Sequence, residues 1–425
     1  MSNPSGLPSG NKSILVVGGG LSGMTSAIEA AEVGYETYII EKQAYLGGRV
    51  AQLNQYFPKL CPPYCGLEIN FRRIKTNPRI HYFTLSEVES VSGEAGNFDV
   101  KIKRTPRYVN DKCTACNDCV EVCPEERPND FNFGMNKTKA IYLPHEMAFP
   151  MKYVIDSKYC KDNCSACVTA CKYDAIEPDM KAKEMTLNVA SIIYSTGWKP
   201  YDATKMDNLG MTPHNNIISN IMMERIAAPN GPTRGKLIRP TDQKEAKTIV
   251  FVQCAGSRDE SHLPYCSSIC CMASLKQTTY FRKQYPDSKI YIFYIDLRTP
   301  GKYEKFLSNV RKDENVVFIK GKVAKITEDP KTQNLIVEAE NAITFQKVKV
   351  EADLVVLASG MESSLSGNGL SNLGIEANPE GFISPELQKD GIFSAGVAKA
   401  PVDVTTSIQD ATGVALKAIQ SMRRS

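Results

Sequence analysis

The sequence predicts an α/β chain built from two Rossmann-like dinucleotide-binding domains, with a small cysteine-rich module inserted into the first. Three observations lead there. The chain opens on the order strand, glycine turn, helix, strand, acid. Eight cysteines then fall in two tight runs between residues 113 and 171. A second strand–helix–strand pattern follows, stripped of its glycines.

The 425 residues leave room for two or three domains and a sizeable core. A formal charge of +4 without any Lys/Arg-rich tract argues against nucleic-acid binding. Residues 1–12 are rich in Ser, Gly, Asn and Pro and lack the apolar stretch of a signal peptide, so the chain is expected in the cytoplasm. No apolar run reaches the roughly 18 residues of a membrane span, so no direct span is expected; docking onto a membrane partner stays open. The 14 cysteines are clustered, which in a reducing compartment points to metal ligation or redox chemistry rather than disulfides.

Ser13 to Val17 forms a short apolar run suited to a buried parallel strand. It leads into Gly18-Gly19-Gly20-Leu21-Ser22-Gly23, after which Met24, Ala27, Ile28 and Ala31 fall at helical spacing and Gly34 is placed to end the helix. A second strand over residues 36–40 ends at Glu41. Gly18 permits the tight turn, Gly20 lets backbone approach a pyrophosphate, and Gly23 lets helix and strand pack closely. The helix start offers N–H groups and a positive dipole end, and Glu41 can accept from ribose hydroxyls.

Lys42 and Leu46-Gly47-Gly48-Arg49 come next. This stretch resembles the one that lies along FAD in flavoproteins with two dinucleotide domains, the thioredoxin-reductase-like group. Residues 191–197, closing on Thr196 and Gly197, look like that group's strand-to-Thr-Gly turn, and residues 391–396, closing on Gly396, look like its final FAD motif. Val397 stands where that motif carries an acid. The resemblance implies FAD as the dinucleotide. Asp403, Ser407 and Asp410 are read as the start of a helix closing over FAD, or more simply as a helix cap.

The inserted segment contains Cys113-x2-Cys116-x2-Cys119-x3-Cys123-Pro124 and then Cys160-x3-Cys164-x2-Cys167-x3-Cys171. The first run matches the bacterial ferredoxin pattern; the second differs by one inserted residue. In such modules the fourth cysteine of each run serves the other cluster. Two [4Fe–4S] clusters are therefore expected, one on Cys113, Cys116, Cys119 and Cys171, the other on Cys160, Cys164, Cys167 and Cys123. Zinc is the alternative, but three closely spaced cysteines followed by Cys-Pro are unusual for it. Residues 124–158 exceed what a minimal ferredoxin needs and read as an ordered loop or partner surface.

Residues 248–252 and 289–296 are two more buried-strand candidates, with a helix expected over 272–285 between them. A flavin reductase would bind NAD(P)H at such a unit. Its turn, however, reads Gln253-Cys254-Ala255-Gly256-Ser257, and Cys266, Cys270 and Cys271 follow. By spacing alone these cysteines either enclose an irregular third cluster or are buried small residues with a vicinal thiol pair. The expected boundaries are residues 1–104, 183–240 and 361–425 for the FAD-binding domain, 105–182 for the ferredoxin-like module, and 241–360 for the second Rossmann-like domain.

Residues 47–54 (Gly-Gly-Arg-Val-Ala-Gln-Leu-Asn), 252–260 (Val-Gln-Cys-Ala-Gly-Ser-Arg-Asp-Glu) and 265–272 (Tyr-Cys-Ser-Ser-Ile-Cys-Cys-Met) resemble the A subunits of heterodisulfide reductases, and the likeness runs along nearly the whole chain. That resemblance implies an irregular [4Fe–4S] cluster on Cys254, Cys266, Cys270 and Cys271. Residues 57–66 look closest to a membrane-linked branch, the A subunits of the quinone-interacting membrane-bound oxidoreductases of sulfate-reducing bacteria. The branch implies electron exchange between the menaquinone pool and adenylylsulfate reductase. It implies two companions, one a sister flavoprotein/iron–sulfur subunit and the other a haem-bearing membrane subunit. It also implies a peripheral place on the cytoplasmic face. Sulfur-oxidising and electron-bifurcating heterodisulfide-reductase-like complexes are the rival reading.

The expected activity is electron transfer with no certain catalytic side chain, since FAD takes electrons in pairs and each cluster carries one. A rival is a flavin-linked disulfide reductase using Cys61-Pro-Pro-Tyr-Cys65, although three residues separate the thiols rather than two. A proline-fixed turn, or ligation of a further cluster, would equally account for them. His81, His145, His214 and His262 are scattered and read as structural.

Overall fold

The computed structural model describes residues 12–161, 164–212, 215–365 and 370–423. His214 and all but the last residue of the opening segment lie outside them. Residues 14–16 and Leu354–Leu357 are fully buried apolar runs, which demand cover on both faces and so suit parallel sheets wrapped by helices. Two such sheets form. The first runs Ile392–Ser394, Ser191–Tyr194, Ser13–Val17, Glu36–Glu41, Ile80–Thr84, all parallel. The second runs Ile217–Ser219, Leu354–Leu357, Thr248–Val252, Lys289–Tyr294, Val316–Lys320, again all parallel. Four strands follow the same order in both, a later strand beside the first of three consecutive ones, while the edge strand comes from the end of the chain in the first sheet and from ahead of the unit in the second. The fold is the expected α/β pair of Rossmann-like units.

Helix Leu21–Glu32 follows the first strand and buries Ala27, Ile28 and Ala31 with Ala411, Val414 and Ala418 of the long helix Val404–Met422. Small side chains on both helices allow close approach. In the second unit the corresponding helix is Cys270–Gln284, beginning two residues before the expected start. Each unit also carries a three-stranded antiparallel sheet: Lys183–Val189, Asn97–Arg104 and Ser86–Glu94 in the first, Val323–Glu328, Leu335–Glu340 and Lys347–Ala352 in the second.

The cysteine-rich segment leaves and re-enters through the first antiparallel sheet. Arg104 and Lys183 are register partners there, so the ends of the inserted segment are already adjacent. Insertion between paired residues adds little closure entropy to the host. Two short helices, Asp118–Glu121 and Ala166–Ala170, and two-stranded ladders at Glu126–Pro128/Lys137–Lys139 and Ile141–Tyr142/Val154–Ile155 build the module.

Buried arginines bolt it down. Arg107, 5% exposed, donates to the Ala44 carbonyl and Thr84 Oγ1 on the host, and to the Lys152 and Tyr153 carbonyls on the insertion. Burial pulls its guanidinium down to about 10. Among the described residues no helix is long and apolar enough to cross a membrane.

Candidate cofactor-binding site

A cavity of about 890 Å³ opens at the carboxyl ends of the first sheet, within the range of cofactor sites. Gly18, Gly20, Leu21, Ser22, Glu41, Lys42, Gly48, Arg49, Thr196, Gly197 and Ser407 all line it. Gly19, Gly23 and Gly396 stand just behind. Gly18 has φ +108°, and a Cβ there would sit 2.3 Å from the Ser195 carbonyl oxygen. At Gly20 a Cβ would meet only Gly48 Cα, 3.9 Å away, while one at Gly48 would sit 2.9 Å from Gly20 Cα. Two glycine loops thus lie back to back, tied by Gly47 N–H to the Gly19 carbonyl at 2.8 Å. The result is a bare backbone cradle at a helix N-terminus, which suits a pyrophosphate.

Glu41 is 9% exposed and accepts from the Gly19 and Gln43 amides, each at 2.6 Å. Burial raises its carboxyl above the usual range against those two donors. Arg49 reaches the Gln52 side chain at 3.0 Å and the Trp198 carbonyl at 3.3 Å. Ser195 Oγ and Thr196 Oγ1 are buried without a hydrogen-bond partner among the described residues, as expected of polar groups beside a ligand site. Asp403 caps helix Val404–Met422 by accepting from the Thr406 amide. The cap reading holds for Asp403, and Ser407 stands on the cavity wall. Asp410 accepts from the Gly396 amide at 2.8 Å and pairs with Lys399. A carboxylate thus reaches this turn from the helix, although Val397 occupies the usual acid position.

One feature of the wall carried no sequence signal. Glu224 and Lys276 form an ion pair at 3.1 Å with side chains 3% and 6% exposed, and both line the cavity. Gln277 Nε2 donates to Glu224 Oε1 at 2.7 Å, and the Tyr280 hydroxyl lies 3.2 Å from Glu224 Oε2. The polar run from Lys276 to Thr279 reads in sequence as a solvated helix face.

The structure gathers twelve cysteines into three groups. Cys113, Cys116, Cys119 and Cys171 line one small cavity together with Asp118 and Tyr173. Ala115 and Asn117 take positive φ there, wrapping the loop inward. Burial, then neighbouring Cys113 and Cys116, push the Cys119 thiol up to about 12. Cys167 is raised likewise, by burial and by Cys160, Cys123 and Cys164. Cys254, pushed up to about 11, and Cys270 are raised by burial and by the other members of the set with Cys266 and Cys271. Thiols crowded this way give up protons only to a strongly electropositive guest. Among the described residues no three of these side chains close on one point as ligands of a single metal ion do.

The Ser268 amide lies 3.4 Å from Cys266 Sγ, and the Ala175 amide 3.4 Å from Cys171 Sγ; were the thiolates to hold a cluster, such contacts would tune its potential. Ser268, Ile269 and Met272, which bracket Cys270 and Cys271, line the large cavity. Arg127, Asn129 and Tyr142 of the insertion line its opposite part.

Cys61 and Cys65 do not reach the cavity wall. Their neighbour Tyr56 does: its amide donates to the Cys61 carbonyl at 3.2 Å, and a Cβ on Gly66 would sit 2.7 Å from its hydroxyl. Among the histidines, His81 pairs with Glu36, His262 accepts or donates to the Tyr201 hydroxyl at 2.7 Å, and His145 stacks on Phe131. All three serve packing.

The family of FAD dependent oxidoreductases matches residues 13–63. The thioredoxin reductases of T. acidophilum and Lactococcus lactis superpose with TM-scores of 0.52 and 0.53 at 14% identity. Each covers 97% of this chain, and 98% and 100% of those chains are matched, a likeness of fold. In sequence, the iron-sulfur A subunit of the CoB–CoM heterodisulfide reductase of Methanocaldococcus jannaschii is 40% identical over 95% of this chain. The A subunit of the H(2)/formate:CoB-CoM heterodisulfide,ferredoxin reductase of Methanococcus maripaludis is 38% identical, also over 95%. The chain spans 63% of the length of each of these two relatives. The similarity to heterodisulfide reductase A subunits thus runs along nearly all of this chain's residues, on a fold shared with FAD-dependent oxidoreductases.

Proposed function

We propose that this chain is an electron-transfer subunit holding FAD in the large cavity, two ferredoxin-type [4Fe–4S] clusters in the insertion and an irregular third on Cys254, Cys266, Cys270 and Cys271. The observation that carries it is placement: residues of the insertion and residues flanking Cys270 and Cys271 at the start of helix Cys270–Gln284 line the same cavity. FAD, when bound, supplies the conversion between paired and single electrons. The glycine cradle and the Leu21–Glu32 helix start take its pyrophosphate, Glu41 its ribose, and Thr196, Gly197, Gly396 and Ser407 the remainder.

Within the insertion, the set of Cys123, Cys160, Cys164 and Cys167 is the inner one. Tyr159 beside it stacks with Arg127 at 5.6 Å, and Arg127 reaches the cavity. The set on Cys113, Cys116, Cys119 and Cys171 is then the outer station. We assign residues 105–182 to the ferredoxin-like domain, 201–360 to the second Rossmann-like domain, since strand Ile217–Ser219 joins its sheet ahead of the expected boundary at 241, and the rest to the FAD-binding domain.

The finer reading is that this relay joins the membrane quinone pool to a cytoplasmic partner, adenylylsulfate reductase in dissimilatory sulfate reduction. It would sit peripherally through a sister flavoprotein and a haem-bearing subunit. The likeness of residues 57–66 to the quinone-linked branch supports it. The relatives' names, heterodisulfide and ferredoxin reductase subunits, favour a second reading, membership of an electron-bifurcating complex. Co-purification with a haem protein or with a ferredoxin partner separates the two.

The second unit puts cysteines where a nicotinamide-binding turn would stand, so electrons should come from a protein. Anaerobic titration with NAD(P)H is expected to leave the flavin absorbance unchanged over minutes. Rapid stoichiometric bleaching would contradict the relay.

A further inference from the structure

Three non-glycine residues of the loops that carry the third cysteine set take positive φ: Cys254 (+56°), Arg258 (+58°) and Ser268 (+62°). Such backbone is strained and gathers at sites that use it. With the loops so turned, each sulfur of the set has an N–H donor. The Ser268 amide lies 3.4 Å from Cys266 Sγ, the Gly360 amide donates to Cys270, and the Arg298 amide to Cys271. At Cys254 the donor is a side chain, the Arg258 guanidinium.

Arg258 also brings charge. It pairs with Asp296, whose carboxylate takes Arg298 Nε at 3.4 Å and whose carbonyl oxygen lies 3.8 Å from Cys271 Sγ. Neighbouring Asp259 is neutralised by Lys322 at 2.6 Å, and Glu260 is exposed to solvent. Two guanidinium groups thus face one unshared carboxylate beside the set. The Arg258 side chain is 26% exposed against 49% for Asp296, so water screens the carboxylate more than the cation. Cys270 and Cys271 open helix Cys270–Gln284, whose N-terminal dipole adds to the same field.

We propose that Arg258 is a positioning residue for the third cluster, holding Cys254 in place and raising the cluster's reduction potential. The inference rests on the reading of Cys254, Cys266, Cys270 and Cys271 as ligands. Reduction adds one electron, taken from reduced FAD, and with it one negative charge; no bond forms or breaks at Arg258. A cation and N–H donors at the sulfurs favour that added charge and stabilise the reduced cluster. The electron is thereby drawn from the flavin cavity into the second unit.

The test is an anaerobic redox titration of the full chain, purified with its cofactors and followed by electron paramagnetic resonance. The signal lost in Cys266→Ala belongs to the third cluster. Arg258→Met should shift that signal's equilibrium about tenfold toward the oxidised form, a midpoint lower by about 59 mV, and leave the insertion's signals within about twofold. Arg258→Lys should recover about half of the shift or more, because the charge returns. Asp296→Asn should move the midpoint the other way by about two- to threefold, since it removes the anion and keeps the cation. A purely structural role for Arg258 gives no such opposed shifts.

A shift below about twofold in Arg258→Met, or shifts of one sign in Arg258→Met and Asp296→Asn, would overturn the proposal. Should Arg258→Met lose the iron of this set, Asp296→Asn decides: a raised midpoint supports the proposal, and a lowered or unmoved one overturns it. A Cys266→Ala chain that keeps every signal and all of its iron would instead overturn the third cluster on which the inference rests.

Discussion

Gly23→Ala should strip the protein of flavin. A Cβ at this position would stand 1.9 Å from the Gly18 carbonyl oxygen and 3.2 Å from Val16 Cγ1. Both neighbours belong to the first strand and its turn, so no flexible side chain can yield. The helix Leu21–Glu32 must move away from the sheet, opening the cradle whose amides face the pyrophosphate. The strain alone costs about 1–3 kcal/mol, and the displaced helix start loses its phosphate geometry as well. Flavin per chain, read from the ratio of visible to ultraviolet absorbance, should fall below about a tenth of the unmodified value. Gly34→Ala is the control. Gly34 has positive φ (+101°), unlike helical Gly23, but its Cβ would meet nothing within 4 Å. That change should cost about 1 kcal/mol of stability and leave flavin content unchanged.

Arg225→Met should produce the largest loss of stability. Arg225 is wholly buried at the meeting point of three segments. It donates to Asn132 Oδ1 of the insertion at 2.8 Å, to the Gln52 carbonyl at 3.4 Å, and to Asn230 at 3.0 and 3.1 Å. Its guanidinium also lies 4.6 Å over the Phe131 ring. Methionine fills most of the volume but leaves those acceptors unpaired in a dry interior, a cost of about 3 kcal/mol or more. The first thermal transition should drop by about 5–10 °C, and limited proteolysis should find the insertion loosened. Arg225→Lys should rescue little, because one ammonium cannot reach all four acceptors that the planar guanidinium serves. A variant as stable as the parent would show that the insertion is not docked through this residue.

The fold was legible because its signals are local. The strands of residues 13–17 and 248–252 announce themselves as apolar runs, and the glycine spacing of the first turn admits few other structures. That four strands of the second sheet follow the order of the first was less visible, since its turn has exchanged glycines for cysteines. The side chains at Glu41, Arg49, Thr196 and Ser407 could be read by their distance from such turns. Glu224 and Lys276 could not be. They lie far apart in the chain, and a lone buried ion pair leaves no periodicity in a sequence. The same holds for Arg225 and Arg107, whose roles exist only once the insertion has folded back on its host. Cys61 and Cys65 mark the opposite failure. Their sequence position beside the Gly-Gly-Arg segment suggested proximity to the flavin, but neither lines the cavity, whereas their neighbour Tyr56 does.

Everything proposed for the relay depends on one chain holding a flavin and three clusters. The direct measurement is iron, acid-labile sulfide, zinc and flavin, counted per chain in anaerobically purified protein. The prediction is about twelve iron and twelve sulfide with one FAD, and no zinc, as three [4Fe–4S] centres require. Zinc in place of iron, or a chain retaining iron but no flavin, would contradict it.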